Sequence, residues 1–235
     1  MKNKFDYKEH YKFDDLIEIM SLLRSENGCI WDREQNHKSI RNNFIEETYE
    51  AIEAIDTDNL DLLKEELGDV LLQVVFHAQI EKENNTFDID DVTDGICKKL
   101  ILRHPHVFGD TDVENTDQVL DNWNAIKQKE KKQDTAAKAM NDVARSLPAL
   151  MRSQKIIKRA SKAGLVSTDI NSSVQALYDI INEIKSLTDA GNCITGKQLG
   201  KMLMNTAKLA VSANIECEQA LYDICEEYIK GDFKF

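Results

Sequence analysis

The chain has 235 residues with 42 acidic and 30 basic side chains, and its formal charge of -12 argues against a nucleic-acid partner, since phosphate binding needs a basic surface. Only two prolines and nine glycines interrupt a sequence rich in helix formers, so the composition favours an all-α fold. Five cysteines without a C-x-x-C pair exclude a zinc ribbon, and no export signal or run of about eighteen apolar residues occurs. We therefore expect a cytoplasmic protein that contacts no membrane.

Two helices are predicted before residue 40. Apolar residues at helical spacing predict the first over Phe13–Arg24, which ends before Asn27-Gly28. The second is predicted to begin at Asp32, whose side chain would form a capping box with Gln35. Trp31 precedes this cap, and its ring either packs the helix entry onto the core or offers a face on which a nucleobase stacks.

Two acidic pairs follow at positions where an apolar helix face is expected. Glu47 and Glu50 are spaced i, i+3, as are Glu66 and Asp69, and a short polar segment between the pairs predicts a helical hairpin. Either pair alone is typical of a solvated helix face. Four carboxylates brought together would repel one another unless a cation lay between them. Their hard oxygen ligands predict Mg²⁺, with Mn²⁺ as the alternative.

A third helix beyond the hairpin carries basic residues. It is predicted to begin at a cap formed by Asp88 or Asp90 and to run to Arg103. Lys99 and Arg103 lie on one face at i, i+4 and could hold the outer phosphates of a substrate next to a metal site. His77, on the second helix of the hairpin, is either a further metal ligand or a packed side chain.

The remaining chain predicts a second domain. Residues 104–110 contain a proline and are interpreted as a loop. One more helix is predicted over residues 117–132, before a polar run. We therefore predict an N-terminal domain over residues 1–132, a linker over 133–142 and a C-terminal domain over 143–235.

Several motifs resemble the MazG family of nucleoside triphosphate pyrophosphohydrolases. They are the two acidic pairs, C-x-W-D-x-x-Q from Cys29, K-L-x-x-R-H-P-H-V-F-G-D from Lys99, W-x-x-I-K from Trp123 and R-S-L-P-A-L-M-R from Arg145. The resemblance implies four-helix-bundle-type units assembled across subunits. It also implies magnesium-dependent cleavage of a nucleoside triphosphate between its α and β phosphates, which gives a monophosphate and pyrophosphate.

By position, the resemblance assigns metal binding to Glu47, Glu50, Glu66 and Asp69, and substrate binding to Lys99 and Arg103. Either Glu46 or Glu50 would deprotonate the attacking water. Two positions depart from the family: Ile30 replaces a common proline, and Lys98 replaces a common asparagine or aspartate. Lys98 therefore adds a positive charge beside the predicted site.

A shift of about 130 residues reveals an internal repeat. Leu67-Gly68-Asp69-Val70-Leu71 aligns with Leu199-Gly200-Lys201-Met202-Leu203. The acidic residues are not retained: Ile180 replaces Glu47, Gln198 replaces Glu66 and Lys201 replaces Asp69, while Glu183 aligns with Glu50. The sequence therefore predicts two tandem copies of the fold, of which the C-terminal copy is degenerate and binds no divalent cation.

Two other functions compete with hydrolysis. A non-catalytic nucleotide-binding or regulatory protein would keep the fold without turnover. A di-iron carboxylate bundle needs a Glu-x-x-His motif on each of two helices, and the chain contains one, Glu34-x-x-His37. Because the hairpin has apolar residues on both sides of its acidic face, we also predict a homodimer with closed two-fold symmetry.

Overall fold

The computed structural model describes residues 5–130 and 135–231, and all regular elements in these ranges are helices, which confirms the all-α fold. They are α1 (Phe13–Arg24), α2 (Ile30–Glu34), α3 (Arg41–Asp56), α4 (Leu60–Glu83), α5 (Ile89–Arg103), α6 (Pro105–Phe108), α7 (Thr116–Glu130), α8 (Ala136–Asn141), α9 (Ala149–Lys162), α10 (Ile170–Asp189), α11 (Gly196–Ser212) and α12 (Cys217–Ile229). None of these helices is both long and apolar enough to span a bilayer.

Contacts divide the chain into two compact units, the first ending at Leu120 and the second beginning at Asp121. This division lies N-terminal to the predicted linker. Of that linker, residues 133 and 134 lie outside the described residues, and α8 occupies most of the rest and packs against α9. The domain limits at residues 132 and 143 therefore remain a prediction.

The first unit is built around α4, a helix of 24 residues that contacts α1, α3 and α5. Its apolar residues recur at three- and four-residue spacing, so they form a stripe that the neighbouring helices cover. Val75 and Phe76 of this stripe pack with Met20 of α1 in one buried cluster. Asn59 begins α4 by accepting a hydrogen bond from the Leu62 N–H.

Arg24, at the end of α1, joins three segments of the first unit. Its guanidinium is buried and donates to the Glu83 carboxylate at 2.9 and 2.8 Å. It also donates to the carbonyl oxygens of Asp32 and Gln35, at 2.5 and 3.2 Å. This satisfied buried charge holds α2 against α1 and α4.

The structure corrects two local predictions. Asp32 does not cap the second helix, since α2 begins after Cys29 with no side-chain cap and Gln35 lies at its C-terminal end. Residues 104–110 are not all loop, because Pro105–Phe108 forms the short helix α6, and proline is favoured in a first helical turn. The Asp88 cap of α5 is present, with Asp91 completing a capping box.

The second unit is arranged around α11, which contacts α9, α10 and α12. Its buried apolar residues are Val143, Ile157, Ala160, Ile180, Ala207, Ala210 and Cys217. Gln154 of α9 is also fully buried and is hydrogen-bonded at both ends of its amide, donating to the Ile215 carbonyl at 2.7 Å and accepting from the Cys217 N–H at 2.8 Å. These bonds fix the start of α12 against α9.

Candidate metal centre

The α3–α4 hairpin brings three carboxylates from two helices together. One oxygen each from Glu47 of α3 and from Glu66 and Asp69 of α4 lies within 4.8 Å of the other two. We call these three residues the carboxylate cluster. The spacing i, i+3 on α4 places Glu66 and Asp69 one turn apart, and antiparallel packing of α3 brings Glu47 opposite them.

Glu50, the fourth predicted ligand, adjoins this cluster. After burial, the charge of Glu50 is among the causes that raise the pKa of both Glu47 and Glu66, so its carboxyl lies near both. It is more exposed than the cluster residues and is not one of the three closely spaced oxygens. The hairpin therefore holds three carboxylates in one group and a fourth beside them.

Burial and mutual repulsion disfavour the ionised form of the cluster. Burial is the largest cause that raises the pKa of Glu47, followed by the charges of Asp69, Glu50 and Glu66. Burial is also the largest cause that raises the pKa of Glu66, and the charges of Glu50 and Asp69 raise it further. A divalent cation would reverse both effects, because it supplies opposite charge at the point where the carboxylates converge.

Glu66 supplies a direct test of whether the residues fit a metal. Its side chain is buried, and its Oε2 atom has no hydrogen-bond partner within the described part of the chain. Such an atom is costly unless it has a partner. Since the donor set is entirely carboxylate oxygen, the cluster fits Mg²⁺ or Mn²⁺ and not a metal that prefers sulfur or imidazole.

Gln73 is a further candidate residue of the metal centre, and the sequence analysis did not identify it. It lies four residues after Asp69 and seven after Glu66, so it shares their face of α4. Its side chain is buried, and within the described ranges its Oε1 atom also lacks a hydrogen-bond partner. The i, i+7 spacing from Glu66 indicates that Gln73 shares its helix face. An uncharged amide among apolar residues, however, is not a typical sequence signal of a metal site.

The other predicted site residues occupy varied positions. Glu46 lies exposed on α3 and is not part of the carboxylate cluster. Lys99 is exposed on α5, whereas Arg103, on the same helix, is buried. Trp31 is 56% exposed, which does not fit the packing alternative. Lys98 forms an ion pair with Asp94 at 2.5 Å, so its extra charge is locally balanced.

His77 forms part of a different group from the carboxylate cluster. Its Nδ1 atom lies 2.7 Å from Nδ1 of His37, and Nε2 of His37 lies 2.5 Å from the Glu81 carboxylate. Burial, with a smaller effect of His37, lowers the pKa of His77 and favours its neutral form. These contacts support the packing alternative for His77. Glu34, the acidic residue of the one Glu-x-x-His motif, ends α2, so His37 lies beyond that helix.

The second unit contains a comparable helix pair with different chemistry. Glu183 of α10 accepts from the Lys201 ammonium of α11 at 3.0 and 3.2 Å, and from the Gln198 amide at 3.4 Å. The hydrogen bond from Lys201 is the largest cause that lowers the pKa of Glu183. The shift is thus opposite in direction to those of Glu47 and Glu66.

Several known proteins are similar to this chain in sequence. Residues 35–108 match the model of the MazG nucleotide pyrophosphohydrolase domain. The chain is 40% identical over 223 residues to a protein named nucleoside triphosphate pyrophosphohydrolase from Escherichia coli K12, covering 92% of this chain and 84% of that protein. It is 38% identical over 218 residues to the nucleoside triphosphate pyrophosphohydrolase/pyrophosphatase MazG of Thermotoga maritima, covering 93% and 83%. A Mycolicibacterium smegmatis protein with the first of these names is 40% identical over 179 residues, covering 73% and 54%.

Proposed function

We propose that this chain, which belongs to the MazG family of nucleoside triphosphate pyrophosphohydrolases, hydrolyses nucleoside triphosphates at the α3–α4 hairpin. The observation that carries the proposal is the carboxylate cluster, in which oxygens of Glu47, Glu66 and Asp69 lie within 4.8 Å of one another. The names of the relatives support the same reaction. The products are a nucleoside monophosphate and pyrophosphate.

The cluster residues would hold the metal, for which Mg²⁺ is the proposed ion. Bound there, Mg²⁺ supplies charge neutralisation for the triphosphate and lowers the pKa of a coordinated water. Glu50 is the better candidate for the general base, because its carboxyl lies near Glu47 and Glu66 without belonging to the three closely spaced oxygens. Glu46 is the alternative base, although it lies exposed on α3.

The substrate is proposed to contact three further side chains. Lys99 and Arg103 would donate to phosphate oxygens, and Arg103 suits this role because its planar guanidinium donates two parallel hydrogen bonds. Trp31 has an exposed ring that could stack on a nucleobase. The three assignments come from the sequence pattern, and exposure supports those of Lys99 and Trp31, whereas Arg103 is buried.

We expect pyrophosphate as the first phosphorus-containing product besides the monophosphate. A panel of ribonucleoside and deoxyribonucleoside triphosphates would be incubated with Mg²⁺ and analysed by anion-exchange chromatography and ³¹P NMR. Monophosphate and pyrophosphate should appear in equal amounts, since one bond is broken. Diphosphate and orthophosphate as initial products would place the cleavage elsewhere. Tight nucleotide binding without turnover would instead favour the non-catalytic alternative.

The second unit is proposed to be a degenerate copy of the first. Its helices α9, α10, α11 and α12 follow the order of α1, α3, α4 and α5, and α10 and α11 pair as α3 and α4 do. The Lys201 ammonium beside Glu183 supplies the positive charge that a metal would supply in the first unit. A carboxylate already paired with lysine has little affinity for a divalent cation.

The protein is proposed to be a homodimer, because α3 and α5 expose long apolar side chains. On α5 these include Val92, Ile96 and Leu100, which recur every four residues and form one stripe. We expect sedimentation equilibrium to give twice the chain mass. Leu100→Asp should shift the protein toward monomer, since it places a charge within the stripe. A wild-type chain that sediments as a stable and fully active monomer would contradict the dimer.

A further inference from the structure

The second unit contains a cleft with a strongly basic lining. Its volume is about 630 Å³, within the range of about 300 to 1,000 Å³ that is typical of small-molecule sites. Five of its lining residues carry positive charge: Lys127 of α7 and Lys155, Lys158, Arg159 and Lys162 of α9. Within residues 5–130 and 135–231, no aspartate or glutamate is among the lining residues. We call it the basic cleft.

The charge of this cleft originates in the sequence of α9. The helix has five basic side chains and no carboxylate in 14 residues, although acidic residues outnumber basic ones in the whole chain by 42 to 30. Positions 155, 158, 159 and 162 recur at three- and four-residue spacing and therefore share one helix face. The opposite face of α9 is buried in the unit. It consists of the apolar Ile157 and Ala160 and of Gln154, whose amide is hydrogen-bonded at both ends.

Groups in the described ranges neutralise only part of the positive charge of the basic cleft. Lys158 forms an ion pair with Glu216 at 3.0 Å, and Arg159 donates to the Ala139 carbonyl. Lys155 and Lys162 have no carboxylate within 4.0 Å in the described part of the chain. Like charges on one face repel, so such a group gains stability when an anion lies between its members.

The neutral polar groups of the cleft also suit an anion. The hydroxyl oxygens of Ser161 and Thr168 lie 3.2 Å apart at its edge and can rotate to donate. The Arg159 guanidinium is held by its bond to Ala139, so its remaining N–H groups have a fixed direction. Arginine binds phosphate through its planar set of N–H donors and lysine through a compact positive charge, so the side chains of this cavity suit phosphate oxygens.

We propose that the basic cleft binds a small polyphosphate anion, such as pyrophosphate or the phosphate chain of a nucleotide. Several cations spread over two turns of α9 match an extended anion with more than one phosphate better than a single phosphate ion. The site differs from the carboxylate cluster in needing no metal, because its own side chains supply the positive charge. A chain of formal charge -12 disfavours a long nucleic acid at this site.

The test is isothermal titration of inorganic pyrophosphate into the full-length protein, stripped of divalent cations, at about 0.1 M salt. The carboxylate cluster repels anions under these conditions, which disfavours binding at the metal centre, and the cleft variants assign the remaining binding. We expect one site per chain. Lys155→Ala combined with Lys162→Ala should weaken binding by at least about tenfold, because two charge-assisted contacts are lost. NTP hydrolysis with Mg²⁺ should remain within about twofold of wild type.

Two variants control for charge and folding. Lys155→Arg with Lys162→Arg keeps the charge and should keep the binding. Lys185→Ala with Lys197→Ala removes the same charge from exposed positions outside the cleft and should change affinity by less than about twofold. Absence of pyrophosphate binding to the wild type would overturn the proposal. So would equal weakening by both alanine pairs, or binding of a single-stranded oligonucleotide through these lysines without binding of pyrophosphate.

Discussion

Glu66→Gln is expected to lower the rate of NTP hydrolysis by at least about a hundredfold while the protein stays folded. Glutamine keeps the size of the side chain but removes its charge, and Glu66 Oε2 is the buried oxygen that lacks a partner in the described structure. The measurement is kcat with Mg²⁺, together with the helical circular dichroism signal. Glu65→Gln is the matched control, since Glu65 is the exposed neighbour and its charge lies outside the cluster.

The same substitution should stabilise the metal-free protein. The pKa of Glu66 is raised in the folded state above its ordinary value of 4.5, so its contribution to stability is present below pH 4.5 and is lost as the pH rises. In metal-free buffer, Glu66→Gln should therefore raise Tm at pH 8 and leave it nearly unchanged at pH 4. Mg²⁺ should raise the wild-type Tm more at pH 8 than at pH 5. An unchanged turnover rate in Glu66→Gln would show that the metal centre lies elsewhere.

The strongly periodic segments of this chain could be predicted because apolar spacing alone decides where a long helix buries its face. For this reason the bounds of α1 and the presence of the α3–α4 hairpin agree with the sequence pattern. The predicted cap at Asp32 is wrong, because the local sequence allows a helix to begin either there or after Cys29. The buried Arg24, which bonds to the Asp32 and Gln35 carbonyls, favours the earlier start, and this tertiary contact is invisible in the local sequence.

The sequence indicates which carboxylates form the candidate site, but it does not indicate which of them lie close enough together to share a metal ion. The i, i+3 spacing indicates which carboxylates share a helix face, but only the packing of α3 on α4 separates Glu50 from the three closely spaced oxygens. Burial differences are equally hidden: Lys99 and Arg103 form a regular i, i+4 pair, yet one is exposed and the other buried. The basic cleft depends on α7, α8 and α9 together, so no single motif indicates it.

Removal of the metal is expected to loosen the hairpin of the first unit and leave the comparable pair in the second unit unchanged. Without a cation, burial and repulsion oppose ionisation of Glu47 and Glu66, whereas Glu183 keeps its stabilising contact with Lys201. Hydrogen exchange with and without Mg²⁺ measures this difference. Protection should rise with Mg²⁺ in residues 44–55 and 62–78 and stay constant in 176–187 and 196–212.

Two matched alanine substitutions, one in each unit, are expected to differ in their effect on the rate of hydrolysis. Glu50→Ala should abolish turnover, because it removes the carboxyl near Glu47 and Glu66 that is the proposed general base. Glu183→Ala should leave turnover within about twofold of wild type, since the half-exposed ion pair that it breaks lies outside the carboxylate cluster and contributes little to stability. Both variants are assayed for pyrophosphate release at saturating Mg²⁺. Equal loss from the two substitutions, or metal-dependent protection in both helix pairs, would mean that the second unit also binds a catalytic cation, through ligands other than Ile180, Gln198 and Lys201.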